Sequence, residues 1–351
     1  MQYRKLGASD LKVSSVCLGT MVFGEQTGPA EAHRIMDAAR DRGVDFIDTA
    51  EAYPVPARVE TQGRTEEIIG DWIEARGGRD KLVLATKVVG RAERAGHVRS
   101  GKSRPDRQNV MAAIEASLKR LKTDYIDLYW LHFPDRATNN FENLGYAHRP
   151  DDAAVPIGEM LAAMAELKRQ GKIRAFGASN ETPWGVMQYL RLAEKDSSLP
   201  RIAAIQNPYC LTNRAFDVGL AELCLKENVA STPWSPLCFG GLTGKYDNGA
   251  KPELARLTLH PGGGWARYTW PRALKAYAAY SALARRHGLT PTGMALAFAA
   301  SRPFNASVII GARTEAQVRE NIELIEKTGL SPEVLQGIEA IHADNPNPVM
   351  K

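Results

Sequence analysis

The chain reads as an α/β protein, a (β/α)8 TIM barrel with an N-terminal β-hairpin and extra helices. Three observations predict it. Eight short apolar runs alternate with amphipathic helical stretches over 351 residues, the pattern of a parallel sheet covered by helices. Connections from helix back into strand are short, whereas those leaving a strand are long at 88–105, 133–156 and 235–270. Barrels build their active sites from the latter. No linker rich in Pro, Gly and Ser separates two cores, so residues 1–351 are expected to form one barrel domain.

The elements follow in order. YRKLG (3–7) and LKVS (11–14) flank a Gly7–Ala8–Ser9 turn and form the hairpin. SVCLGT (15–20) is the first barrel strand. A helix after Pro29 carries Ala32, Ile35, Met36 and Ala39 on one stripe and stops before Gly43. VDFID (44–48) is the second strand, and its helix holds Ile68, Ile69, Trp72 and Ile73. LVLATK (82–87) leads to Val110, Ile114, Leu118 and Leu121 at helical spacing. The fourth strand, 126–131, precedes a helix with Ile157, Met160, Leu161, Met164 and Leu167, ended by Gly171. IRAFGAS (173–179), AAIQ (203–206), VASTPW (229–234) and SVIIG (307–311) complete the eight, with helices near 183–195, 215–227, 271–287 and 314–326.

Bulk properties exclude several classes. Hydrophobic content of 44% and charged content of 24% are ordinary for a globular protein. The net charge of +5 is scattered, without the basic stripe of a nucleic-acid surface. Four cysteines lack zinc or C-x-x-C spacing, the start MQYRKLG is no signal peptide, and no apolar stretch reaches the ~18 residues that span a bilayer. A cytoplasmic protein with free thiols and no membrane partner is expected. Seven histidines show no H-x-x-x-H or H-E-x-x-H spacing, and no G-x-S-x-G or G-x-G-x-x-G appears. FGGLTGKY fails as a P-loop because the glycine spacing is one residue short and Tyr246 stands where Ser or Thr must hold magnesium.

Four residues carry the candidate chemistry. Asp48, Lys87 and His132 end the second, third and fourth strand runs, and Tyr53 lies five residues beyond Asp48. Reducing a carbonyl needs a hydride donor at carbon and a proton donor near oxygen. A phenol releases its proton reluctantly, with a pKa of about 10. An ammonium ~4 Å away favours the phenolate by roughly 4 kcal/mol at an effective dielectric of ~20, enough to bring the phenol toward working pH. Lys87 can supply that charge, Asp48 can keep it charged, and His132 can orient the substrate oxygen. Each residue alone has a structural reading: a turn cap, a packed aromatic, a satisfied core histidine. Lys87 is the exception, since lysine is seldom buried without a partner. Together, on successive strand ends, the four favour catalysis.

The strings DTAEAY, ATK and LYWLH resemble the aldo-keto reductases, whose tetrad is Asp, Tyr, Lys and His. EAYPVPARVETQGRTEEIIGDWI resembles the bacterial Tas-type branch of that family, and the likeness runs from about residue 3 to 343. It implies a nicotinamide cofactor site. Ser179 and Asn180 in GASN and Gln206 in AIQNPY would bind the carboxamide, with Thr20 and Asp48 on the same side. Trp234 would stack on the nicotinamide, where many relatives have Tyr. Ser235, Pro236, Leu237 and Lys245 would wrap the pyrophosphate. GARTEAQVREN, beginning at Gly311, matches the adenosine-phosphate site through Arg313, Gln317, Glu320 and Asn321.

That last string also makes physical sense. Thr314 and Gln317 have capping-box spacing. A helix N-terminus beside Arg313 suits a phosphate. No acidic residue is evident to hold a free 2′-hydroxyl, so NADP(H) is expected over NAD(H), gripped by Arg313 and Arg256. Where several relatives carry a basic residue, this chain has Gln317. The expected partner is a small-molecule carbonyl substrate, whose identity is not legible, nor is any homo-oligomer. Phe133, Phe141, Tyr146, Trp265 and Trp270 suggest apolar walls, and the basic loop 90–107 reads as solvated. The alternative is a cofactor-binding regulatory subunit like the potassium-channel β-subunits, which lack the equivalent of His132.

Overall fold

The computed structural model describes residues 1–351 apart from 92–94, 140 and 141. β1 (Tyr3–Lys5) and β2 (Lys12–Ser14) form an antiparallel hairpin. Then come β3 (Val16–Gly19), α1 (Pro29–Asp41), β4 (Phe46–Asp48), α2 (Arg64–Arg76), β5 (Val83–Val88), α3 (Arg107–Leu121), β6 (Ile126–Leu131) and α4 (Ile157–Arg169). The second half holds β7 (Ile173–Ser179), α5 (Pro183–Lys195), β8 (Ala204–Gln206), α6 (Leu220–Lys226), β9 (Ala230–Ser231), α7 (Arg256–Leu259), α8 (Pro271–Arg286), α9 (Pro291–Ala300), β10 (Val308–Gly311), α10 (Glu315–Lys327) and α11 (Pro332–Asp344).

β3 to β10 pair in parallel in the order β10-β3-β4-β5-β6-β7-β8-β9. The two edges meet. Ser231 N donates to Phe304 O (2.9 Å), Ala306 N to Ser231 O (2.8 Å) and Ile309 N to Pro233 O (3.0 Å), closing the eight strands into the barrel that the sequence predicts. All six residues of β5 and of β6 are buried, as parallel strands covered on both faces must be. Leu128 and Trp130 pack into the barrel interior with Cys17 and Phe46, while Tyr129 and Leu131 face the helical layer. Side-chain caps start the helices where the sequence offers them: Asp106 for α3, Thr182 for α5, Thr290 for α9 and Ser331 for α11.

Two readings change, and α9 and α11 add helices that were not expected. The helix expected over 215–227 breaks at Gly219 into a 3₁₀ turn (Ala215–Val218) and α6. The strand expected over 229–234 is regular only at Ala230–Ser231; Pro233 has no N–H to donate, and beyond it pairing continues as an isolated bridge from Trp234 to Pro208. α9 gives no stripe to read, since all seven residues from Gly293 to Ala299 are buried. α11, by contrast, has a cap and buries Val334 and Ile338, a signal that was there to be read. Among the described residues no helix is long and apolar enough to cross a membrane.

Loops after β5, β6 and β9 rise from one mouth. The last is folded into short helical turns (Cys238–Thr243, Asp247–Gly249, α7 and Gly263–Thr269). In the basic loop, Arg91 pairs with Asp152, Arg99 with Glu51, Arg104 with Asp135 and Arg107 with Glu166, so these cations are tied to the protein's own acids. Arg94 and Phe141 lie outside the described residues.

The hairpin seals the opposite end. Leu6, Leu11 and Val13 join the interior cluster, and Gly7 turns the chain at φ 56° against the carbonyls of Ala203 and Asn228. A Cβ there meets backbone that cannot yield. Gly7→Ala is therefore expected to lower unfolding free energy by about 2–4 kcal/mol through strain and overpacking; urea denaturation with an unchanged midpoint would refute this.

Candidate active site

Parallel pairing sets the strand ends side by side. Asp48 is the last residue of β4, Lys87 lies one residue before the end of β5, and His132 directly follows β6. Tyr53 sits on the turn beyond β4, held by its N–H on Ala50 O (3.1 Å) and by Gly63 N donating to its carbonyl (2.9 Å). The Lys87 ammonium is completely buried. It donates to the Asp48 carboxylate and to Thr49 O (2.7 Å). The other Asp48 oxygen accepts from Gln206 Nε2 (2.9 Å). Thr20 donates to Asp48 O through its N–H (3.1 Å) and its hydroxyl (2.9 Å). A buried ion pair survives only when its remaining valences are filled in this way.

Around this pair the aromatic groups gather. Lys87 Nζ lies 5.0 Å from the Tyr53 ring centroid. Tyr53 meets the His132 ring edge-on at 5.7 Å, and Phe133 stacks on His132 at 4.5 Å. Burial pulls the Lys87 pKa down, but Asp48 and then Tyr53 outweigh it and hold the ammonium above its ordinary value. Burial, with Lys87 second, pushes His132 well below the usual histidine range, so the imidazole is neutral.

Tyr53 departs from expectation. Lys87 does lower its pKa, yet burial is the larger effect and the net direction is upward. The reading of a phenol brought toward working pH counted the cation and left out the desolvation.

Tyr53, His132 and Asp48 open into a cleft of about 1030 Å³. Every other residue expected to contact cofactor lines it too: Thr20, Ser179, Asn180, Gln206, Trp234, Ser235, Pro236, Leu237, Lys245, Arg256, Gly311, Arg313, Gln317, Glu320 and Asn321. Lys87 stands behind the wall. Ser179 Oγ donates to Gln206 O (2.8 Å), Asn180 Nδ2 to His132 O (3.0 Å), and Trp234 Nε1 to Asn180 Oδ1 (3.3 Å). The carboxamide-type residues thus form one network with the tetrad through Gln206, a link the sequence did not announce.

The far end of the cleft is cationic. Lys245, Arg256 and Arg313 have no carboxylate partner among the described residues. Burial first, then the charges of Arg256 and Arg313, lowers the Lys245 pKa. Burial and Arg313 bring Arg256 down to about 10. Gly240, at φ 94°, leaves room for Lys245, whose Nζ would lie 2.8 Å from a Cβ there. Thr314 caps α10 by accepting from Gln317 N (3.3 Å). The capping box is displaced, however: Gln317 Oε1 accepts from Arg313 N (2.9 Å), one residue before the cap. These features fit a dianionic phosphate.

Of the aromatic residues expected as walls, Phe133 and Trp265 line the cleft, while Tyr146 and Trp270 do not. Val55, Pro56, Phe239, Arg267 and Tyr268 line it without having been singled out. Glu51, inside DTAEAY, was also passed over. Its carboxylate accepts from Val89 N (2.7 Å) and pairs with Arg99, tying the Tyr53 turn to the loop after β5. A carboxylate between Asp48 and Tyr53 was the available signal.

The Aldo/keto reductase family model matches residues 15–343. Protein tas of Escherichia coli (strain K12) is 50% identical over 342 residues, 97% of this chain and 98% of that protein. A probable voltage-gated potassium channel subunit beta of Arabidopsis thaliana is 32% identical over 350 residues, 99% of this chain and 98% of that protein. The uncharacterized oxidoreductase YrpG of Bacillus subtilis (strain 168) is 32% identical over 340 residues, 96% and 94% respectively.

His132 makes stability depend on pH. Its folded pKa lies below the unfolded value, so its contribution is complete above about pH 6.5 and is lost as pH falls, because only the unfolded chain takes up the proton. Unfolding free energy should fall by up to about 1.4 kcal/mol per pH unit below that point from this group. The component should vanish in His132→Gln; an identical acid limb in both proteins would contradict it.

Proposed function

The chain belongs to the Aldo/keto reductase family of carbonyl-reducing oxidoreductases, and we propose that it is an NADP(H)-dependent reductase of small aldehydes or ketones with Tyr53 as proton donor. One observation carries the reading: a single cleft is lined by Asp48, Tyr53 and His132, with Lys87 behind them, and by three cations that have no carboxylate partner among the described residues. Ser179, Asn180 and Gln206 would hold the nicotinamide carboxamide, with Thr20 beside them and Trp234 against the ring. Ser235, Pro236, Leu237 and Lys245 would hold the pyrophosphate, and Arg256 and Arg313 the 2′-phosphate. Gly311, Gln317, Glu320 and Asn321 would border the adenosine. When bound, NADPH supplies a hydride to the carbonyl carbon.

The chain's own groups manage the proton. An alkoxide is a stronger base than a phenolate, so Tyr53 gives up its proton to the substrate oxygen even though burial keeps the phenol protonated beforehand. Lys87 stabilises the phenolate that remains, and Asp48 keeps Lys87 charged. Neutral His132 can donate a hydrogen bond to the carbonyl oxygen without competing as an acid.

A second reading takes its support from the similarity to a probable potassium channel subunit beta: this chain would be a regulatory subunit that binds the cofactor without turning over a carbonyl. Oxidation of NADPH followed with 4-nitrobenzaldehyde and methylglyoxal separates the two. Turnover is expected, and Tyr53→Phe should cut kcat/KM by about 10²–10⁴ while NADPH still quenches tryptophan fluorescence. Cofactor binding with no turnover on either carbonyl, or full activity in Tyr53→Phe, would overturn the reductase reading.

A further inference from the structure

Three basic side chains crowd the far end of the cleft, and like charges in a partly desolvated site repel one another. Arg256 is the most shielded of them, its pKa brought down to about 10 by burial and by Arg313. Something must keep its guanidinium in the cleft, and no carboxylate does so among the described residues. Two rings do. Arg256 lies 5.1 Å from the Phe239 centroid and 5.9 Å from that of Trp265. Phe239 in turn packs against Trp265 and Tyr268, each at 4.5 Å. All four line the cleft.

The physical difference between these two kinds of support matters. A carboxylate would hold the arginine by its N–H edge and cancel its charge. An aromatic face attracts the cation through the ring quadrupole and leaves both charge and N–H fork available. Arg313 is anchored in a comparable way, one guanidinium nitrogen donating to the Leu254 carbonyl two residues from Arg256.

We propose that Phe239 and Trp265 determine preference for the 2′-phosphate, by holding Arg256 at full charge opposite Arg313 without touching the phosphate themselves. They are specificity-determining residues of a site whose occupant is the cofactor proposed above, and the inference rests on that reading. Trp265 acts on the phosphate end, whereas Phe239 also meets Trp234 edge-on at 6.4 Å, so for Phe239 the discriminating ligands are those without a nicotinamide. Their loss should weaken ligands that carry the 2′-phosphate and spare those that lack it.

Calorimetric titration of the purified full chain with NADP⁺, NAD⁺, 2′,5′-ADP and 5′-ADP tests this without turnover. Trp265→Leu and Phe239→Leu should each weaken 2′,5′-ADP by about fivefold to thirtyfold, leave 5′-ADP unchanged, and approach the loss seen in Arg256→Met; Trp265→Leu should likewise weaken NADP⁺ and spare NAD⁺. Trp265→Phe, which restores an aromatic face, should recover most of the affinity. Equal weakening of 2′,5′-ADP and 5′-ADP, or no weakening in either leucine variant, overturns the proposal. Should the unaltered protein bind NADP⁺ and NAD⁺ equally, it is the NADP(H) reading that falls. Two variants at different points of the loop guard against a single misfolded one.

Discussion

A lysine ammonium with no exposure to solvent is the constraint on which the mouth of this barrel depends. Removing such a charge from water costs several kcal/mol even after relaxation, and the structure offsets that through Asp48 and the Thr49 carbonyl. The cost spreads outward, because Asp48 is itself buried and must be satisfied. Gln206 fills its second oxygen and Thr20 grips its backbone, so one cation draws together β3, β4, β5 and β8. Tyr53 and His132 inherit their properties from the same source. Lys87 opposes the burial that raises the phenol and reinforces the burial that neutralises the imidazole.

The opposite end of the cleft obeys the reverse rule. There Lys245, Arg256 and Arg313 line the cleft with no carboxylate at ion-pairing distance among the described residues. Burial first, and mutual repulsion second, lowers the pKa of Lys245 and Arg256, so keeping these groups charged side by side is costly. An incoming dianion relieves that cost, which is how a site can favour a phosphate before any hydrogen bond is counted. One cleft thus has a compensated cation behind its wall and, among the described residues, three cations along it with no carboxylate partner. On the function proposed above, the first serves chemistry at a carbonyl oxygen and the others grip the cofactor.

The loop after β9 connects these halves. It begins at the residues expected to wrap the pyrophosphate, passes through Phe239, Lys245 and Arg256, and returns by Trp265 and Tyr268. Its short helical turns are irregular because glycines and positive φ angles, as at Gly240 and Phe239, interrupt them. Such a segment has no period for a reader to follow. Regular strands and helices do, which is why β5, β6, α1 and α3 were legible while α9, apolar on every side, was not.

Sequence alone determined the barrel order, the residues at its strand ends and the family likeness, because strand and helix periodicity and short motifs are local properties of the chain. It also placed every expected cofactor residue on what proved to be the cleft wall. Tertiary structure decided which polar groups meet. Gln206 reaches Asp48 across 158 residues of sequence, and Phe239, Arg256, Trp265 and Arg313 converge from separate turns. It also decided the sign at Tyr53, where a cation argued for acidity and desolvation outweighed it. Burial depends on what every other element covers, so it exists only once the barrel has closed.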